Sequence, residues 1–99
     1  MKSVLFHPEA RVELRQSARY YETQQVGLGK RFLAAVRTAK EQIEFYPLMY
    51  RMVEPGIRQC RILRFPYGLI YRSHGSKIQI IAVMNLHRRP GYWKSRIED

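Results

Sequence analysis

The chain has 99 residues, 45% of them hydrophobic, and sets eighteen Lys and Arg against eight acids for a net charge of +10. That length allows one domain, residues 1–99, which buries roughly 60–65% of its unfolded surface without metals or disulfides, and the apolar content excludes a disordered chain. No stretch approaches the roughly 18 apolar residues of a membrane span, and the N-terminus lacks a signal-type apolar core, so a cytoplasmic protein that does not engage membranes is expected.

Ser3-Val4-Leu5-Phe6 is short and rich in strand formers. His7-Pro8-Glu9 then opens a helix: proline fits the first helical position and Glu9 complements the positive end of the dipole. Ala10, Leu14, Ala18 and Tyr21 recur on one face of that helix, which ends near Gly27. Arg11, Glu13, Arg15, Arg19 and Glu22 fall mainly on its other faces and read as a solvated flank. Gly27-Leu28-Gly29 allows a tight reversal. A second helix carries Phe32, Val36, Ala39, Ile43 and Tyr46 on one stripe until Pro47 stops it. Two helices with so short a connection form an antiparallel hairpin.

Strands follow. Pro55-Gly56 marks a turn, and Ile57 to Arg64 and Tyr67 to Ser73 read as strands. Ser73-His74-Gly75-Ser76 turns the chain into a last strand, Lys77 to Met84, as an antiparallel hairpin. Apolar residues occupy both parities of that strand, so it is expected to be central or covered on both faces. The predicted class is α+β: a short N-terminal strand and an antiparallel two-helix hairpin packed on a mainly antiparallel sheet of about four strands.

The charge is uneven. Residues 1–49 hold eight basic and five acidic side chains, whereas residues 50–99 hold ten and three. Arginine outnumbers lysine thirteen to five, which suits bidentate anion recognition. In Arg58-Gln59-Cys60-Arg61-Ile62 strand parity sends Arg61 to the face opposite Cys60, and Arg72 on a neighbouring strand is expected close by. With Arg58, Arg64, Arg88 and Arg89 these form a candidate anion or nucleic-acid site. His87 and Tyr92 are candidates for proton transfer, and Trp93 reads as an anchor that packs the C-terminal segment onto the fold. The single cysteine, Cys60, reads as a small buried residue in a reducing compartment.

Other chemistry is excluded. The second half has only Glu54, Glu98 and Asp99 as acids, so paired carboxylates for metal-dependent hydrolysis are missing. No Cys/His spacing suits zinc, and no aspartate precedes Asp99 to complete a hydrolytic triad. No metal and no cofactor are expected. A nuclease built from these residues would be metal-free, with Arg and Lys for electrostatics, His87 or Tyr92 for proton transfer and the RNA 2′-hydroxyl as internal nucleophile.

Almost end to end, the chain resembles the RelE/ParE toxins of bacterial type II toxin–antitoxin modules, often labelled plasmid stabilisation proteins. The matching pieces are Phe6-His7-Pro8-Glu9-Ala10, Glu13-Leu14, Ala18 with Tyr20-Tyr21-Glu22, and Leu28-Gly29 with Arg31-Phe32. Ile43 with Pro47, Arg58, Arg64-Phe65-Pro66-Tyr67 with Ile70-Tyr71, and His87-Arg88-Arg89-Pro90 with Tyr92-Trp93 and Arg96 complete them. The resemblance implies a growth-arresting toxin neutralised by a cognate antitoxin with an acidic, partly disordered segment. ParE-like members poison DNA gyrase by binding; the long hairpin and Phe65-Pro66-Tyr67 look more like these. RelE-like members are ribosome-dependent mRNA endonucleases, and for that alternative the candidate catalytic residues are Arg61, Arg88 or Arg89, Tyr92 and His87. The helix-borne catalytic lysines of that branch have no clear counterpart, although Lys40 lies on the second helix. A non-toxic nucleic-acid-binding module is the remaining alternative.

Overall fold

Strand β1 (Ser3–Phe6) leads through His7 into helix α1 (Pro8–Gln24), and a three-residue turn joins it to α2 (Leu28–Phe45). Strands β2 (Arg51–Glu54), β3 (Ile57–Ile62), β4 (Tyr67–His74) and β5 (Lys77–Asn85) follow, and a 3-10 turn spans Lys94–Ile97. The computed structural model describes residues 3–97; Glu98 and Asp99, two of the three acids noted in the second half, lie outside the described residues.

The start of α1 is built as its sequence suggests. Pro8 occupies the first turn, and His7 caps it by accepting the Glu9 backbone N–H at Nδ1, 3.1 Å away. Between the helices two glycines serve different ends. Gly27 takes a φ of +87° that a side chain would strain. At Gly29 a Cβ would lie 2.6 Å from the Ala18 carbonyl oxygen, so only glycine lets the helices approach this closely. Glu22 reaches across from α1 and accepts the Gly27 and Gly29 N–H groups at 2.9 and 3.0 Å. It thereby caps α2 at the positive end of its dipole. Those two N–H bonds hold the Glu22 carboxyl below its ordinary value.

The sheet order is β1-β5-β4-β3-β2, with β1 parallel to β5 and every other pair antiparallel. The expected α+β hairpin-on-sheet arrangement is present, with five strands rather than about four. The extra one, β2, is short and exposed along most of its length, and its pairing with β3 slips between Met52 and Glu54. No alternating pattern survives that slip to be read from sequence.

As expected, β5 is interior and covered on both faces. Its pairing with β4 jumps from Ile70↔Ala82 to Tyr71↔Ile80, leaving Ile81 as an extra residue. That bulge switches parity midway. Ile78, Ile80 and Val83 face the helices, whereas Ile81, Ala82 and Met84 face the other side. On the helix side Phe32, Val36, Ala39 and Ile43 of α2 meet Cys60, Leu69 and Tyr71 of the sheet. An aromatic group of Tyr21, Phe32, Phe65 and Tyr67, with ring centroids 5.0–6.0 Å apart, ties the hairpin to the β3–β4 turn. Tyr46, expected on the α2 stripe, is instead 61% exposed because α2 ends at Phe45. On the other face Trp93, 2% exposed, packs on Ile81, Ala82 and Met84 and anchors the C-terminal segment as its sequence suggests.

Gly29→Ala is expected to cost about 1–3 kcal/mol by forcing the helices apart, which thermal unfolding would register as a fall of several degrees or more. Glu22→Gln tests the cap. Because folding lowers the Glu22 pKa, its contribution is complete above the ordinary value of 4.5 and is lost as pH falls through the depressed folded value. Wild-type and Glu22→Gln stabilities, measured by urea titration at a series of pH values, should therefore converge on acidification. A gap unchanged down to strong acid would remove the cap assignment.

Candidate functional site

The best-built polar cluster in the described residues centres on Glu13 of α1. Beyond β1, whose last link is the His7 N–H to the Ile80 carbonyl at 2.8 Å, β5 continues with no strand on that edge among the described residues. Glu13 and Arg96 occupy the edge instead. Glu13 Oε1 accepts the Val83 N–H at 3.0 Å, and Arg96 Nη1 donates to the Ile81 carbonyl at 3.0 Å. The same two side chains form a fork, Nη1 to Oε1 at 2.9 Å and Nη2 to Oε2 at 2.8 Å. The Tyr92 hydroxyl donates to Oε2 at 2.6 Å, and the Arg88 guanidinium stacks 3.8 Å above the Tyr92 ring centroid. The Glu13 and Arg96 side chains are only 12% and 9% exposed. Burial, then the bond to Glu13, push the Tyr92 hydroxyl well above the ordinary tyrosine range, and the bond to Glu13 raises Arg96.

Glu13 is therefore not part of a solvated flank. A lone glutamate on a charged helix face carries no sequence sign of burial, and Arg96 stood out only within the family-like C-terminal motif. What the arrangement does chemically is also clear. Tyr92 is a committed donor to a carboxylate, and Arg88, its nitrogen 3.8 Å from Glu13 Oε2, is held over that ring.

The other candidates do not converge there. Arg61 alternates with Cys60 along β3 and is exposed at the strand's open edge, where it borders the space beside α2. It pairs in register with Gly68, four residues along β4 from Arg72, which separates the two by about 13 Å. Arg72 donates from Nε to Gln79 Oε1 at 2.9 Å near the far end of the sheet. Arg58 shares the parity of Cys60, turns toward the helix side and donates to the Tyr50 carbonyl at 2.7 Å. Arg64 sits in the β3–β4 turn with a φ of +72°. Arg89 and His87 are exposed on the loop after β5. The expected single anion pocket of Arg58, Arg61, Arg64, Arg72, Arg88 and Arg89 is thus corrected to several separate positions. Strand register spreads the sheet arginines, and Glu13 captures Arg88. Lys40, the helix lysine noted above, lies 3.8 Å from Glu44 one turn along. The described residues contain no group of His, Cys, Asp or Glu able to hold a metal ion.

A second feature is a surface. A groove of about 570 Å³ runs between α2 and the β3–β4 turn, lined by Leu28, Ala35, Leu63 and Phe65 with Arg31 and Arg61 on its rim. Pairing between β2 and β3 stops at Gln59, so the β3 edge beside this groove is open. Beyond it Phe45, Tyr46, Leu48, Met49 and Met52 are each more than half exposed. This is a large apolar surface, of the kind that marks a protein-binding face.

The family model described as the ParE toxin of type II toxin–antitoxin system, parDE, matches residues 4–90. A search of curated proteins finds no match. Among solved structures, one described as the chromosomal ParDE toxin–antitoxin system from P. aeruginosa superposes with a TM-score of 0.62 at 22% identity, over 86% of this chain and 96% of that one. At that identity the likeness speaks for the fold.

Glu13→Gln should cost about 3–5 kcal/mol, since it strips the counter-charge from Arg96, and Tyr92→Phe about 1.5–3 kcal/mol for a bond to a charged group. In a double-mutant cycle read by urea denaturation the two losses should fall short of additive by about 1 kcal/mol or more. Full additivity would mean that the hydroxyl and the carboxylate act independently.

Proposed function

Since this chain belongs to the ParE toxin family of type II toxin–antitoxin systems, we propose that it arrests growth by binding DNA gyrase and that a cognate antitoxin neutralises it. The observation that carries the choice of a binding inhibitor is the tie between Tyr92 and Glu13 at 2.6 Å. An endonuclease of the RelE type would need Arg61, Arg88 and a tyrosine hydroxyl at one scissile phosphate, ready to move a proton. Here the hydroxyl is engaged, Arg88 stacks on its ring, and Arg61 lies on β3, two strands away from β5.

The groove between α2 and the β3–β4 turn supports the antitoxin side of the reading. Its floor is apolar, its rim carries Arg31, Arg61 and Arg64, and the adjoining β3 edge offers unpaired backbone. An acidic segment that folds on binding meets all three demands: apolar anchors, carboxylates for the rim and, where extended, a strand for the edge.

Induction of the chain alone should stall growth, raise the DNA-damage response and yield gyrase covalently trapped on cleaved DNA, while transcripts stay intact. Co-expression of the antitoxin should reverse all three. Fragmented mRNA with undisturbed supercoiling would replace this reading with the endonuclease.

A further inference from the structure

The sheet face away from the helices is only half covered. The C-terminal segment lies over its upper part, and below Trp93 and Ile97 a cavity of about 840 Å³ remains. One register row crosses its floor: Leu5 beside Gln79, Gln79 beside Arg72, Arg72 beside Ile57. The next row brings His74 beside Lys77. Lys94 projects from the opposite wall.

The charge on this wall is unbalanced. Among the described residues Glu54 is the one acid lining it, and Lys94 already lies 3.4 Å from that carboxylate. Among the described residues Arg72 and Lys77 meet no acid. They are diagonal cross-strand neighbours, roughly 7–8 Å apart at the backbone, so both side chains reach one anion between them. The Arg72 guanidinium is also held. Gln79 Oε1 takes its Nε–H at 2.9 Å, which restrains the plane of the group and engages Nε rather than the two terminal nitrogens that an anion would use. Beside this cationic pair the floor is apolar: Leu5 is 56% exposed into it, and Ile57 and Ile97 flank it.

A doubly charged head beside a flat or apolar body matches that layout. The volume falls within the roughly 300–1,000 Å³ of small-ligand sites. We infer that this cavity binds the phosphomonoester of a nucleotide, either free or at the phosphorylated end of a single strand, with Arg72 and Lys77 on the phosphate and Leu5 and Ile97 against the base. The site is separate from the Glu13 cluster and from the α2 groove, and it does not rest on the gyrase reading.

The test is an NMR titration of the full chain, read at backbone amides and arginine Nε–H groups, at fixed salt. The probes are AMP, a 5′-phosphorylated single-stranded tetranucleotide, its unphosphorylated counterpart and inorganic phosphate. Shifts should gather at Leu5, Arg72, Lys77, Gln79 and Ile97, and R72Q and K77Q should each weaken binding by about ten-fold or more while R15Q, on α1, leaves it unchanged. AMP binding alone assigns a free nucleotide, and binding of the phosphorylated tetranucleotide alone assigns a strand end. Lys77 is exposed, so K77Q keeps the test decisive if R72Q disturbs the sheet. Undiminished binding to K77Q, shifts centred on Arg88 and Arg89, or inorganic phosphate binding as tightly as the nucleotides would each overturn the assignment.

Discussion

Strand β1 is four residues long and β5 is nine, so about half of β5 has no strand on that side. Val83 and Ile81, both buried, would leave backbone groups without partners there, at a cost of about 1–3 kcal/mol for each such group. The fold closes this gap with side chains rather than with more sheet. Glu13 supplies the acceptor, Arg96 supplies the donor, and the two neutralise each other in a fork. Removing one partner from such a buried pair costs about 3–5 kcal/mol, against a typical total of 5–15 kcal/mol for a domain. The closure therefore carries a large share of the stability.

The same closure places the C-terminus. Arg96 belongs to the 3-10 turn at Lys94–Ile97, so pinning it to α1 draws the segment from Leu86 onward across the sheet and seats Trp93 over Ile81, Ala82 and Met84. Helix α1 gains from this too. It buries little beyond Ala10, and the bond from Glu13 to Val83 ties it to the sheet where its apolar stripe alone is thin. One carboxylate thus couples helix, sheet and tail. The cost to chemistry is direct. Tyr92, a candidate for proton transfer, and Arg88, a candidate for charge stabilisation at a phosphate, are both engaged by the closure.

Much of the architecture was legible because it rests on periodicity. Both helices, the hairpin between them and the interior position of β5 follow from apolar spacing, and the parity change of β5 is the bulge at Ile81 written in sequence. Trp93 was legible because a large ring after a Pro-Gly turn has few other uses. The misses share a cause: each depends on contacts between residues far apart in the chain. β2 is a strand only because β3 pairs with it. Glu13 is buried only because Arg96, 83 positions later, returns to it. Arginine-rich strands likewise promise an anion pocket until register is known, and register sent Arg58, Arg61 and Arg72 to different places.

The exposed apolar run from Phe45 to Met52 bears on why the chain carries so much charge. Five large apolar side chains within eight residues, each more than half exposed, would invite self-association in a neutral protein. A net charge of +10 opposes that, because two copies meeting face to face would bring like charges together. Opposition of this kind is selective. It is strongest toward another copy and reversed toward an acidic partner, for which the same cations speed association and match carboxylates at the rim. Such a face would favour an acidic partner over a second copy of the chain. In such a face specificity comes from charge, while burial of the apolar run supplies affinity.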